Sequence, residues 1–587
     1  MNRLATALGT RPRLSAGALL LPILVVAVAG WIQRWVSDDG WINMRVIMQL
    51  QAGNGPVFNI GERVELGTST LWLYLVWLFD TVAPFGSPQK WSIGLGILLM
   101  VAGMAFATLA ALRLHDMVRR GGRGAGDPEL STPRGVVVPF GALVFAVLPP
   151  VWDFTTSGLE TSLTMAWIGA SAWLVVRRFD RDPDTVLEVW QPWPVALVIG
   201  LGPLVRPDIT VLAATFAIVV LIDSRFSVRS WLVGAAVGLG PFLAYEIFRM
   251  GYYAALVPNT ALAKGASESR WGSGLKYLWD YVGTYALYVP LLIGGTVAVL
   301  WLLRRVAPMH DWRTWAMLLV PLAGAVIHVV YVVRVGGDFM HARFLLPATF
   351  ALLVPMFAIQ IPERTLRVTF AVATGAMVAW SVTCGLALRY PYVDFPSPWG
   401  IADERGFYTS RVADTTTPKG WKGYETYEIG TRMKAMQEAG EYRYVVQQDG
   451  APYLEMPGTM DRVVLAHHSM GMPSVAAGPE VFLADRYALA DPITARTVMP
   501  EGFEARAGHA YRDEAWRQAR YAQPQADDSQ AVKDARTVIQ CEPIVELQAA
   551  VSEPLTWDRF WRNVTLAPKL TSLRYSHDPA TAITEMC

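Results

Sequence analysis

Long apolar runs recur through the first two thirds of this 587-residue chain, and they constrain its fold more than any other feature. A helix of about 20 apolar residues crosses the hydrocarbon core of a bilayer, and the runs have roughly that length. Charged residues make up 17% of the chain, against about 25% in a typical soluble domain. The sequence therefore predicts a polytopic α-helical membrane protein, with apolar runs at 16–36, 70–84, 91–112, 135–150, 159–177, 193–206, 208–222, 229–249, 283–303, 314–334, 344–360 and 367–389.

The first run has a second interpretation. Its residues 27–29, "AVA", resemble a signal-peptidase motif, so a cleaved signal peptide is the alternative. Because many more apolar runs follow, we expect an uncleaved first helix.

Basic residues between the runs predict the orientation of the chain. Lysine and arginine concentrate in short cytoplasmic connections, and here arginines cluster near the N-terminus and in the loop 113–134. This loop would lie outside if every run crossed the membrane, so we expect one earlier run not to cross. The 70–84 run is short and contains Asp80 and a proline, as in an interfacial helix that lies along the membrane. The prediction is about eleven spans with the N-terminus in the cytoplasm and the C-terminus outside.

This topology places several loops and everything after about residue 390 on the extracytoplasmic side of the plasma membrane. The residues after 390 contain turn dipeptides and short runs such as "YRYVVQ" and "RVVLAHH", which are typical of strands. We therefore expect a transmembrane domain at 1–389 and an extracytoplasmic α+β domain at 390–587. The predicted external loops are 37–69, 151–158, 250–282 and 335–343.

Charge, motifs and cysteine content narrow the classes of function. The net charge of +1 argues against nucleic acid as a partner. The sequence has no Walker-type phosphate loop and no Rossmann glycine fingerprint, so no nucleotide cofactor is expected. Cys384 falls within the last run and is expected to pack there. Cys541 and Cys587 would lie in an oxidising compartment, where a disulfide is favoured over two free thiols.

Two adjacent carboxylates, Asp38 and Asp39, follow the first run in the stretch "WVSDDGWINMR". Ser37 or Asp38 could cap a helix, and acidic residues stabilise a first helical turn. Two unpaired carboxylates are costly at a membrane boundary, which favours a function for them. The pair could accept a proton from a sugar hydroxyl or hold a divalent cation against a phosphate. Spacing alone leaves capping, catalysis and cation binding open.

Further ionisable residues recur in the predicted external loops and at the span ends. Structural alternatives are a self-paired loop around Glu65 and an ion pair between Arg206 and Asp208. Glu160, just inside a span, suits either a helix N-terminus or a polar cavity. Lys264 could bind a phosphate as a point charge. The candidates in these segments are Glu65, Glu160, Arg206, Asp208, Asn259 and Lys264.

The strongest local cluster is "RVGGDFMHARFLLP" at 334–347. Its two glycines permit close backbone approach, and we expect Asp338, His341 and Arg343 to converge after them. An arginine beside a histidine suits a lipid-linked phosphate through charge-assisted hydrogen bonds. Plain contact with lipid headgroups is the alternative.

The candidate residues crowd one predicted face of the membrane. A transporter would place ionisable groups near mid-span and show inverted repeats, so a flippase or transporter for lipid-linked sugars is less favoured than an enzyme. Polar stretches in the tail are expected to serve surface or domain packing. They are "HH" at 467–468, "DRYALADP" at 485–492 and "RAGHAYR" at 506–512.

Taken in order, these motifs resemble glycosyltransferase superfamily C, and most closely the arabinofuranosyltransferases of mycobacterial-type cell walls. Members of the superfamily carry an acidic motif and interfacial helices in the first external loop, and an external C-terminal domain. The resemblance runs through most of the chain and depends chiefly on the acidic pair and the "GGDF" element. The motifs are "SDDGWINMR", "GNGPVFNIGERVELGTSTLW", "TSGLET", "RPD", "PNT", "GGDFMHARF" and "DRYALADP".

The resemblance implies a reaction and its substrates. D-arabinofuranose would move from decaprenyl-phosphate arabinose to the non-reducing ends of arabinan, in arabinogalactan and lipoarabinomannan, forming β-(1→2) linkages. Donor and product are both β, so configuration is retained, and a single in-line displacement would invert it. Retention needs a carboxylate nucleophile or a front-face route through an oxocarbenium-like ion pair. A transferase that moves another sugar from a polyprenyl phosphate is the alternative.

Residue roles follow from the same resemblance and from residue chemistry. Asp38 and Asp39 match the acidic motif and are the predicted catalytic residues; whether they also hold Mg²⁺, Mn²⁺ or Ca²⁺ stays open. The predicted ligands of the donor phosphate are Arg343, His341 and Lys264. The predicted substrate-binding residues are Asp338, Glu65, Glu160, Arg206, Asp208 and Asn259.

Overall fold

The computed structural model describes most of the chain. The described residues are 12–121, 137–179, 193–223, 228–265, 269–303, 312–360, 367–390, 399–409, 428–447, 453–500 and 508–587.

Helices dominate the described residues up to 409, because a helix satisfies its backbone hydrogen bonds internally where no water is available. They are Pro12–Ile32, Asp38–Gln51, Thr70–Val82, Pro88–Gly121, Phe140–Ala146, Pro149–Thr155, Thr161–Phe179, Trp193–Gly200, Gly202–Val205, Thr210–Asp223, Val228–Tyr253, Asn259–Ala263, Trp271–Thr284, Tyr288–Trp301, Trp312–Arg334, Leu346–Leu353, Arg367–Ala387 and Glu404–Phe407. One short antiparallel pair, Val137–Val138 with Ile359–Gln360, joins two distant loops.

Several helices have the length and apolarity that crossing a membrane requires. Within the described ranges, 4 pass such a test: Pro12–Ile32, Pro88–Val118, Trp231–Tyr253 and Thr314–Arg334. The pair Trp271–Thr284 and Tyr288–Trp301, bent by 82°, would add one more. These helices fit a polytopic membrane protein, whereas the eleven-span count and its orientation stay predictions. Shorter apolar helices accompany them at Thr70–Val82, Trp193–Val205, Pro207–Leu221, Arg343–Met356 and Ala371–Ala387.

Proline breaks some of the predicted runs. The 135–150 run contains two helices, the second of which begins at Pro149 and Pro150. Pro207 starts a single 3₁₀ turn between the helices that end at Val205 and begin at Thr210. Proline lacks an N–H group and clashes with the preceding helical turn, which favours a break at these two positions. The breaks leave loop backbone where Arg206 emerges.

A close helix pair supports this region. Pro88–Gly121 packs along Thr161–Phe179, and a Cβ at Gly169 would lie 2.4 Å from the Gly103 carbonyl oxygen. Small residues allow two backbones to approach this closely. The pair fixes the position of Glu160, which directly precedes the second helix.

The C-terminal part contains a mixed four-stranded sheet. The strand order is Leu454–Pro457, Arg443–Val446, Val464–His467, Phe482–Asp485; the first pair is antiparallel and the others are parallel. A parallel pair needs a crossover connection, and the helix Gly471–Ala477 supplies it between the last two strands. The expectation of α+β structure after residue 390 is confirmed, and "YRYVVQ" and "RVVLAHH" both contain strands.

The sheet buries both faces, which follows from the alternation of side chains along a strand. Leu465 and Leu483 pack into the same core as Trp41 and the membrane-type helices. Val464 and Phe482 face the opposite way and pack against Tyr521. The C-terminal domain therefore shares a continuous core with the rest of the chain.

Helices and one disulfide complete the C-terminal domain. Cys541 and Cys587 form a disulfide with their Cα atoms 5.2 Å apart, within the range that this bond needs. Cys384 is buried, as expected of a packing residue. The helices are Glu428–Glu438, Gly471–Ala477, Glu514–Tyr521, Gln530–Ile539, Glu542–Ser552, Trp557–Ser572 and Pro579–Met586; a short parallel pair joins Thr497–Val498 to Tyr575–Ser576.

Candidate active site

The acidic pair begins the helix Asp38–Gln51, which we call the DD helix. Ser37 is its N-cap and accepts a hydrogen bond from the Gly40 N–H at 3.0 Å. Of the two predicted caps, the structure therefore uses Ser37. This leaves both carboxylates free to make other contacts, and because adjacent residues of a helix point in different directions, they make different ones.

Asp38 is buried against the C-terminal domain. Its Oδ2 accepts hydrogen bonds from the backbone N–H groups of Met470 and Gly471, at 3.0 and 3.2 Å, and its Oδ1 accepts one from Met472 at 2.9 Å. These amides open the helix Gly471–Ala477, where backbone N–H groups lack partners within the helix. Asp38 therefore fastens the DD helix to this crossover helix of the C-terminal domain.

Arg45 binds the other end of this crossover helix. It lies two helical turns after Asp38, hence on the same face, and is fully buried. Its guanidinium donates to backbone carbonyls at the end of the crossover helix and beyond, including Ser474 at 3.0 Å and Val481 at 2.8 Å. A carboxylate at the N-terminus and a cation at the C-terminus both complement the helix dipole.

The close approach requires glycine at position 471. A Cβ there would lie 2.0 Å from the Asp38 carbonyl oxygen and 2.7 Å from the Trp41 Cβ. Any larger residue would push the two helices apart.

Asp39 faces a different group of residues. Its Oδ2 lies 3.9 Å from Arg343 Nη1, and its side chain is 28% exposed. The same guanidinium lies 3.1 Å from Glu160 Oε1 and 3.6 Å from Asp338 Oδ2. Both of these carboxylates are less than a tenth exposed. Asp39 is therefore the most accessible of the carboxylates around Arg343.

A second arginine extends this cluster. Arg206 donates to Glu160 Oε1 at 2.7 Å and to Asp208 Oδ1 at 2.8 Å. His328 lies 2.9 Å from Asp208 Oδ2. The ion pair that was the structural alternative for Arg206 and Asp208 is present, and Glu160 bridges it to Arg343.

Asp338 has spare hydrogen-bonding capacity. Its Oδ1 accepts from the N–H of Phe339 at 2.9 Å, whereas its buried Oδ2 has no hydrogen-bond partner within the described ranges. The preceding Gly337 has a φ of +78°, and a Cβ there would lie 2.4 Å from the Tyr277 ring. The two glycines thus permit the close approach predicted for them.

Burial raises the pKa of both buried aspartates, and hydrogen bonds or nearby cations oppose it. Burial raises the pKa of Asp38 to about 6, although the three N–H donors oppose the shift. Burial also raises the pKa of Asp338, against the effects of Arg343 and Lys264. At neutral pH Asp38 is mainly ionised and accepts all three hydrogen bonds.

His341 does not join Arg343. Its Nδ1 lies 2.5 Å from Asp280 and its Nε2 lies 2.9 Å from the Tyr285 hydroxyl. It lines a separate pocket with Arg389 and Arg405. The expected convergence therefore holds for Asp338 and Arg343 and not for the His341 side chain. The backbone explains this, because Ala342 has a φ of +63° and turns the chain between the two residues.

Lys264 is close enough to Asp338 to oppose the rise in its pKa. It follows the helix Asn259–Ala263, and a Cβ at Gly508 would lie 3.1 Å from its Cε. Among the residues that the structure describes, no carboxylate lies within 4.0 Å of its ammonium. Lys264 is thus a cation beside the cluster and remains available to an anion.

Glu65 and Asn259 make structural contacts outside this cluster. Glu65 pairs with Arg249 at 2.6 Å and accepts from the Tyr245 hydroxyl at 2.7 Å. The Asn259 amide donates to the carbonyls of Ala488 and Leu489, at 3.0 and 2.9 Å. The Glu65 contacts tie the loop after the DD helix to the helix Val228–Tyr253, and the Asn259 contacts tie the helix Asn259–Ala263 to the C-terminal domain.

The donor set does not fit a metal shared by the acidic pair. Asp38 uses both oxygens on backbone N–H groups, and the Arg343 guanidinium faces Asp39. Over the described ranges, no group of three or more His, Cys, Asp or Glu side chains is arranged to hold a metal ion.

Some residues of this region gave no clear signal in the sequence. Arg45 is in the DD helix, and its spacing from Asp38 is the pattern that could have identified it. Asp280 and Tyr285 lie in an aromatic segment, "LWDYVGTY", that reads as an ordinary amphipathic helix. His328 lies inside an apolar run, where an ionisable residue is itself a signal.

Comparisons with known proteins were made for the whole chain. A terminal β-(1→2)-arabinofuranosyltransferase of Mycobacterium tuberculosis is 30% identical, with 96% of each chain covered. One of Corynebacterium glutamicum is 29% identical, over 92% of this chain and 83% of the relative. The family model for the AftB family C-terminal domain matches residues 429–585. No solved structure matches the chain.

The apolar helices, the charged cluster and these relatives define a glycosyltransferase of the pentosyltransferase class. Within that class, the chain belongs to the family of the terminal β-(1→2)-arabinofuranosyltransferases, which act in cell-wall biogenesis.

Replacing Glu160 by glutamine tests the cluster. We expect a loss of about 3–5 kcal/mol in the free energy of unfolding, because two buried arginines lose a shared carboxylate. Thermal unfolding of the purified protein in detergent measures it. Glu455, paired with Arg432 on the surface, is the control: Glu455→Gln should cost about 0–1 kcal/mol. Equal effects of the two substitutions would show that the cluster is not what holds these helices together.

Proposed function

We propose that the protein transfers D-arabinofuranose from decaprenyl-phosphate arabinose to the non-reducing ends of arabinan, forming β-(1→2) linkages. The family relationship over nearly the whole chain supports the sugar and the linkage. The observation that carries the site assignment is Asp39, a partly exposed carboxylate held beside Arg343. Glu160 and Asp338 position Arg343, while Asp38 holds the DD helix in place.

The different contacts of Asp38 and Asp39 bear on how the configuration of the anomeric carbon is retained. A double displacement of the usual kind needs one carboxylate as nucleophile and another as acid and base. Of the acidic pair, Asp38 accepts hydrogen bonds from three backbone N–H groups, so Asp39 is the member of the pair that is available to the sugar. We therefore propose a front-face route in which Asp39 stabilises positive charge at the anomeric carbon.

In this route the bond between the anomeric carbon and the phosphate oxygen breaks, and the acceptor hydroxyl oxygen bonds to the anomeric carbon from the same face. The hydroxyl proton passes to the departing phosphate oxygen, and decaprenyl phosphate leaves. Lys264 is the proposed ligand of the phosphate, because its ammonium lies beside the cluster. Arg343 adds positive charge that stabilises the leaving group.

Purified protein, radiolabelled decaprenyl-phosphate arabinose and a short arabinan acceptor test this function. We expect label in the acceptor, in a β-(1→2) linkage at its non-reducing end. Transfer from another polyprenyl-phosphate sugar, with none from the arabinose donor, would favour the related transferase. Movement of the lipid-linked sugar across the membrane of vesicles, without transfer of the sugar to the acceptor, would favour a flippase.

Removing divalent cations is expected to leave the rate of transfer unchanged, because the acidic pair does not offer a shared cation site. The measurement is the initial rate with and without EDTA. The control is EDTA saturated with Mg²⁺ beforehand, which corrects for effects of the chelator itself. A loss that Mg²⁺, Mn²⁺ or Ca²⁺ restores would contradict the expectation.

We also propose that the reaction occurs at the extracytoplasmic face of the plasma membrane. The arginine-rich predicted connections support this sidedness. The Cys541–Cys587 disulfide supports it too, since such bonds persist in oxidising compartments.

A further inference from the structure

We propose that an aromatic surface on the C-terminal domain binds the acceptor glycan. The surface, which we call the aromatic platform, consists of Tyr487, His509 and Tyr511. Its residues lie in two of the tail stretches, "DRYALADP" and "RAGHAYR", for which the sequence analysis expected surface or domain packing. The inference rests on the proposed function, because it takes the acceptor to be a furanose polymer.

The rings form a continuous series. Tyr487 and Tyr511 have centroids 4.9 Å apart at an angle of 30°, and their hydroxyls lie 3.2 Å apart. His509 packs edge-on against Tyr487, with centroids 4.7 Å apart. Tyr511 is 46% exposed, so a ligand can reach its ring.

The platform reaches the reaction centre through Phe339. The Phe339 ring centroid lies 4.4 Å from that of His509, and Phe339 directly follows Asp338 in the chain. Gly508, directly before His509, is the residue whose Cβ would contact Lys264. The segment 508–511 therefore passes beside both Lys264 and the Asp338 loop and presents its aromatic rings next to them.

The loop that carries Tyr487 is held in one conformation. Asp485 accepts from the N–H groups of Tyr487 and Ala490, at 2.7 and 2.6 Å. Asn259 holds the carbonyls of Ala488 and Leu489, and Ala488 has a φ of +62°. A non-glycine residue in that region is strained, and such strain persists where surrounding contacts enforce it. The contacts keep Tyr487 in place before any ligand binds.

A furanose polymer suits this surface. Its C–H faces are apolar and can stack on aromatic rings, while its hydroxyls need polar partners at the ring edges, as in other ligand sites. The two tyrosine hydroxyls provide such edges. The Arg486 guanidinium lies over one face of the Tyr511 ring, 4.9 Å from its centroid. A rigid platform costs little conformational entropy when the ligand binds.

Tyr511→Ala tests the proposal. We expect the KM for the arabinan acceptor to rise about tenfold, the equivalent of one lost stacking contact. The kcat at saturating acceptor and the KM for the lipid-linked donor should stay within twofold of the wild type. Tyr511→Phe, which keeps the ring, should retain most of the acceptor affinity. Tyr442→Ala, at another exposed tyrosine of the domain, is the matched control.

A second measurement separates this proposal from the proposed function. Binding of an arabinofuranose oligosaccharide to the full-length protein, followed by ligand-observed NMR without donor, does not require turnover. Binding by the wild type that Tyr511→Ala weakens supports the platform even if transfer fails. Unchanged acceptor KM and unchanged binding in Tyr511→Ala would overturn it. A rise in the donor KM instead would place the lipid-linked substrate on these rings, and would also overturn it.

Discussion

Asp39→Asn is expected to lower the rate of arabinose transfer by about 10³-fold while leaving the fold intact, because a preorganised charge beside the reacting carbon is lost. The side chain is partly exposed and makes one long ion pair at 3.9 Å, so its neutralisation disturbs little packing. The loss should appear in kcat rather than in the KM for either substrate. Initial rates of the purified variant measure it.

Two controls accompany this substitution. The unfolding midpoint of Asp39→Asn should match that of the wild type, which excludes misfolding as the cause. Asp39→Glu keeps the charge and should recover part of the activity. Transfer by Asp39→Asn at the wild-type rate would remove Asp39 from the mechanism.

Asp38→Ala is expected to have a different effect, on stability. Three backbone N–H groups at the start of the crossover helix would lose a charged acceptor, and each unpaired buried group costs about 1–3 kcal/mol. Because part of this loss is recovered by rearrangement, we expect about 3–5 kcal/mol in total. The C-terminal domain should also become more sensitive to limited proteolysis.

An exposed helix cap provides the comparison for Asp38. Asp578 caps the last helix by accepting from the Thr581 N–H at 2.9 Å, and Asp578→Ala should cost about 1 kcal/mol. If Asp38→Ala is as stable as the wild type but has lost transfer, the docking role assigned here is wrong and Asp38 takes part in the reaction.

The sequence identified the segments that form the site more accurately than it identified the contacts these segments make. "SDDGWINMR" and "GGDFMHARF" were both identified, and one carboxylate from each, Asp39 and Asp338, lies near Arg343. Helical spacing also holds the information that Asp38 and Arg45 share one face and Asp39 another. What spacing does not contain is the partner of that face, the crossover helix about 430 residues later. A contact of that sequence separation depends on the tertiary fold.

His341 and Arg343 show a second limit. They stand two residues apart, and a residue pattern alone suggested a joint phosphate site. Because Ala342 has a positive φ, the two side chains contact different partners. Alanine rarely adopts this backbone conformation, so the sequence does not predict it. Likewise, the apolar runs predicted helices. Prolines such as Pro207 divide some of these into shorter helices, and the loops between them reach the site.

A structure with a non-transferable analogue of decaprenyl-phosphate arabinose tests the central claim most directly, because it shows which carboxylate faces the anomeric carbon. We predict Asp39 within contact distance of that carbon, Lys264 near the phosphate, and Asp38 still bound to the N–H groups of Met470, Gly471 and Met472. An anomeric carbon beside Asp38, or one remote from the Arg343 cluster, would contradict the account.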